Sequence, residues 1–96
     1  MKEINLTNYA KNCITSDKIA KQIYDDIIAL QPLENEIVIN MEDMITISIP
    51  AINILFGGLY DYMGADKFSE NIVLQGWSNT HGDFISFILK ERIKNE

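Results

Sequence analysis

"MITISIPAINILFGGLY", residues 44–60, lies between Asp43 and Asp61 and carries no charge along its length. Its reading decides between a membrane segment and a piece of soluble core. A helix that crosses a bilayer needs about 20 consecutive apolar residues. This stretch is shorter, and Thr46, Ser48, Pro50, Asn53 and the Gly57–Gly58 pair interrupt it. Its apolarity falls below that of a membrane helix, so it reads as soluble core in two parts. "TISI" (46–49) is β-branched and alternating, the mark of a short strand. Pro50 cannot continue a strand ladder but suits the first turn of a helix, with Ser48 as the capping residue. Ala51, Ile52, Leu55, Phe56, Leu59 and Met63 then recur at helical spacing, and Gly64 stands where a left-handed residue ends such a helix. Gly57 and Gly58 inside the helix each cost on the order of 1 kcal/mol relative to alanine. Close backbone approach to the sheet or to a partner accounts for them.

Upstream, "EINLTNY" (3–9) alternates Ile4 and Leu6 with polar residues, as a half-buried strand does. Ser16 offers an N-cap, and Ile19, Ile23 and Ile27 follow four apart, with Ala20, Tyr24 and Ile28 beside them. That is one broad helical face, stopped by Pro32. "EIVINM" (36–41) reads as a strand covered on both faces. Downstream, "NIVLQGW" (71–77) is the next buried strand. "THGDFISFILKERIKN" (80–95) is a last helix with Thr80 as N-cap, Asp83 in a capping-box position and cations near its end. The order is β-α-β-β-α-β-α, with the second and third β pieces short enough to be one bent strand. This predicts an α/β domain over residues 1–96: a small, mostly parallel sheet of about four strands with three helices.

Composition sets the outer limits. With 96 residues, 47% of them hydrophobic and 23% charged, the chain suits one compact domain, alone or in a small homo-oligomer. The single cysteine, Cys13, forms no internal disulfide, so the chain fits a reducing, cytoplasmic compartment. Cys13 itself reads as a small buried or half-buried apolar residue. A net charge of -6 argues against nucleic-acid binding, which needs clustered Lys and Arg. The polar, interrupted N-terminus carries no targeting peptide, and no membrane association is expected.

The run "VINMEDMITISIPAINILFGGLYDYMGADKF" (38–68), followed by "IVLQG" (72–76) and a closing helix, resembles the STAS-like domain family of unassigned function. That family comprises bacterial and viral relatives of the anti-sigma-factor antagonist fold. There, a buried strand of the type V-D-F-E-G-V leads through I-S-S-S-F into a helix beginning A-D-E-L-F-G-K-L. This chain reads I-N-M-E-D-M, then I-S-I-P-A, then I-N-I-L-F-G-G-L. Met41, Glu42, Ile47, Ser48, Leu55, Phe56, Gly57 and Leu59 match, and Asn53 stands where the family often has Asp. The likeness spans roughly residues 36–93.

The resemblance implies a STAS-like fold and a regulatory, non-catalytic module. Its partner would be a protein, kinase-like or sigma-regulating, held through Glu42, Asp43, Ser48, Ile49, Pro50 and Asn53. In the antagonists a partner kinase phosphorylates a serine at the start of the central helix. That acceptor falls at Ile49 here and its neighbour at Pro50, neither of which accepts phosphate. Ser48, one residue earlier, is the candidate phosphosite, though its hydroxyl is also the natural N-cap.

The second candidate region is the loop holding Trp77, Ser78 and His81, at the strand end where open α/β sheets bind ligands. Trp77 suits either the core edge or an interface. Ser78, Thr80, His81 and Asp83 are too close in sequence to present nucleophile, base and orienting acid in line, so no catalytic residue is assigned. One histidine and no cysteine pair leave no metal site, and no cofactor is implied. A small-ligand or nucleotide-binding domain using the loop at the start of the central helix is the alternative function.

Overall fold

A computed structural model describes residues 2–76 and Lys90. Three parallel strands form the main sheet in the order β1-β3-β5: β1 (Lys2–Asn5), β3 (Ile37–Asn40) and β5 (Ile72–Gln75). A second, two-stranded parallel sheet pairs β2 (Cys13–Ile14) with β4 (Thr46–Ile47). The α/β class and the parallel pairing agree with the sequence reading, but the strands divide between two sheets instead of forming one of about four. The third expected helix (80–95) lies, apart from Lys90, outside the described residues.

β3 is the central strand, and Ile37, Val38 and Ile39 are all buried, as three consecutive apolar residues require when both faces of a strand are covered. β3 and β4 are separate strands, not one bent strand. Between them Met44 N–H donates to the Met41 carbonyl, and Asp43 takes a left-handed conformation at φ 67°, which reverses the chain and hands β4 to β2. β5 departs from its expected burial: Ile72 is buried, Val73 is 39% exposed and Gln75 is exposed. Its position at one end of the strand order among the described residues accounts for that.

Helix α1 (Asp17–Ala29) starts at Ser16, whose hydroxyl oxygen accepts the Ile19 N–H. It buries Ala20, Ile23 and Ile27 and packs Ile19, Tyr24 and Ile28 along the core edge. It ends before Pro32, with Gln31 left-handed at φ 60°. The Asn35 side-chain amide donates to the carbonyls of Leu30 and Gln31; the first is an acceptor that the helix end leaves open, and the second also accepts the backbone N–H groups of Glu34 and Asn35.

The second helical segment is continuous but irregular. α2 (Ile49–Ile52) passes into a π turn (Asn53–Gly57) and then into α3 (Gly58–Asn71). Leu55, Phe56, Leu59 and Met63 are buried, each contributing about 1.5–3 kcal/mol in burial. Gly58 meets α1: a Cβ there would lie 3.0 Å from the Tyr24 ring, the close approach that a mid-helix glycine predicts. Gly64 interrupts the helix at φ 81° and ψ 164°, but the chain resumes helical structure and runs on to Asn71. The expected terminator is therefore a kink. Asn71 ties this end down by donating its side-chain amide to the Pro32 carbonyl at 2.7 Å.

Candidate functional site

β2 and β4 each deliver the chain into a helix, and their pairing sets those helix starts side by side. Ile14 is the register partner of Ile47, and Ser48 N–H donates to the Ile14 carbonyl at 2.9 Å. Ile14 and Ile47 are buried beneath the pair, while Cys13 and Thr46 face outward. Cys13 is thus exposed, contrary to the buried or half-buried role read from the sequence. A two-residue strand gives no periodicity, so its outward register was not legible.

Ser48 is half-buried and caps α2: its hydroxyl oxygen accepts the Ala51 N–H at 3.2 Å, and its carbonyl accepts the Ile52 N–H at 2.9 Å. Pro50 supplies no N–H. Of the first four backbone positions of this helix, only Ile49 keeps a donor outside the capping bonds. A phosphate at a helix start relies on several such N–H groups, so this start has little to offer one.

The remaining candidates sit on both sides of that cap. Ile49 is 47% exposed, and Pro50 and Asn53 are exposed. Glu42 and Asp43 are exposed at the turn after β3, and neither joins an ion pair among the described residues, where the pairs are Lys21–Asp25 and Lys67–Glu70. The turn is held firmly. Glu42 N–H donates to the Asn40 side-chain oxygen at 2.9 Å, and Met41 N–H donates to the Gln75 carbonyl at 2.7 Å. Gly76, left-handed at φ 71°, lies against the Glu42 backbone. The six candidates thus fall on two segments joined by β4: Glu42 and Asp43 on the turn after β3, and Ser48, Ile49, Pro50 and Asn53 at the start of α2. Trp77, Ser78 and His81 lie outside the described residues, as do Thr80 and Asp83.

Sequence reasoning missed Ile45, which is 70% exposed. Alternation puts it on the face of Ile47, yet the N–H groups of Ile45 and Thr46 both donate to the Asn12 carbonyl. Two successive donors on one acceptor break the period-two pattern there, and no residue type announces it. Among the described residues no group of three or more His, Cys, Asp or Glu is placed to hold a metal ion, and no helix is long and apolar enough to cross a membrane.

In comparisons with known proteins, no family model, no curated protein and no solved structure matches this chain.

Proposed function

We propose that the chain is a non-catalytic, cytoplasmic protein-interaction module of the STAS-like kind. It docks a protein partner, such as a kinase-like or sigma-regulating protein, through Glu42, Asp43, Ser48, Ile49, Pro50 and Asn53, and does so without a phosphoserine switch. The observation that carries this reading is the start of the central helix. Ser48 has its hydroxyl committed to the Ala51 N–H, while the adjacent Ile49, Pro50 and Asn53 are exposed on ordered backbone. An exposed apolar residue beside a helix cap costs solubility and adds nothing to the core, whereas at an interface it excludes water and anchors a partner.

The test is capture of partners from the native host by the wild type and by Ile49→Asp. An acid at the first helical position suits the helix's positive end, so the variant keeps its fold by circular dichroism. The expected result is a protein recovered by the wild type and lost with the variant. Equal recovery by both removes this surface from the account.

A further inference from the structure

No further inference is drawn: the strongest candidate, the exposed apolar patch of Ile49 and Pro50 at the start of α2, belongs to the site already described, and nothing among the described residues shows what covers it.

Discussion

A Cβ atom on Gly76 would lie 2.8 Å from the backbone nitrogen of Glu42 and 2.9 Å from its Cα. The end of β5 is thus pressed onto the acidic turn, and backbone, which cannot swing aside as a side chain does, forms the contact. Gly76→Ala adds this overlap, worth about 1–3 kcal/mol, to the cost of a side chain at φ 71°, about 1–2 kcal/mol. Urea unfolding should show a loss above about 2 kcal/mol. A change within about 0.5 kcal/mol would mean that β5 does not hold the turn.

Gly58 makes a softer contact. The neighbour of its added Cβ is the Tyr24 ring, at 3.0 Å, a side chain with some room to move at the core edge. Gly58→Ala should therefore change stability by no more than about 1 kcal/mol, the gain in helix propensity offsetting the crowding. Gly58→Leu should cost about 1–3 kcal/mol, because its branched end has nowhere to go between α1 and α3. Stabilisation by leucine on equilibrium unfolding would show that the two helices are not packed at this point.

How much of this was legible in the sequence depends on whether the signal was local. Ser16, Ser48 and Pro50 act through bonds to neighbours one to four residues away, and both helix starts were read correctly. The buried face of α1 and the all-buried β3 followed from periodicity over several residues. β2 is two residues long and defined only by pairing with β4, so neither it nor the exposure of Cys13 left a trace. The π turn at Asn53–Gly57 is too short to alter the hydrophobic period of the helix that contains it. Gly64 announced a left-handed residue, which it is, but the return to helix after it depends on the packing of Phe68 and on the Asn71–Pro32 bond. At the start of the central helix the capping role of Ser48 was legible because it is local, whereas the supports of the Glu42 turn and of β4 were not, because Gln75, Gly76 and Asn12 supply them from distant parts of the chain.

The Tyr9 hydroxyl donates to the Asp26 carboxylate at 2.8 Å and links the segment after β1 to α1. Burial, then the hydrogen bond to Asp26 and its charge, push the Tyr9 phenol up to about 12. The unfolded chain loses this proton near pH 10 and the folded chain holds it longer. The contribution is therefore complete below pH 10 and is lost as pH rises towards 12. Stability measured from pH 8 to 12 should fall less steeply above pH 10 for Tyr9→Phe than for the wild type. Identical slopes would contradict the assigned bond.

The central claim, that Ser48 caps a helix within a constitutive docking surface, is tested most directly by calorimetric titration of the captured partner. Wild type, Ser48→Ala and Ser48→Asp are compared, with Ser48 of the native protein checked for phosphate by intact mass. Loss of the bond to Ala51 should lower the stability of Ser48→Ala by about 1 kcal/mol and leave its affinity within a few-fold. Ser48→Asp should remain stable, since a carboxylate also caps and suits the helix start, and should bind as the wild type does. Abolished binding by Ser48→Asp, with binding kept by Ser48→Ala and phosphate found on Ser48, would contradict the account and make Ser48 a switch.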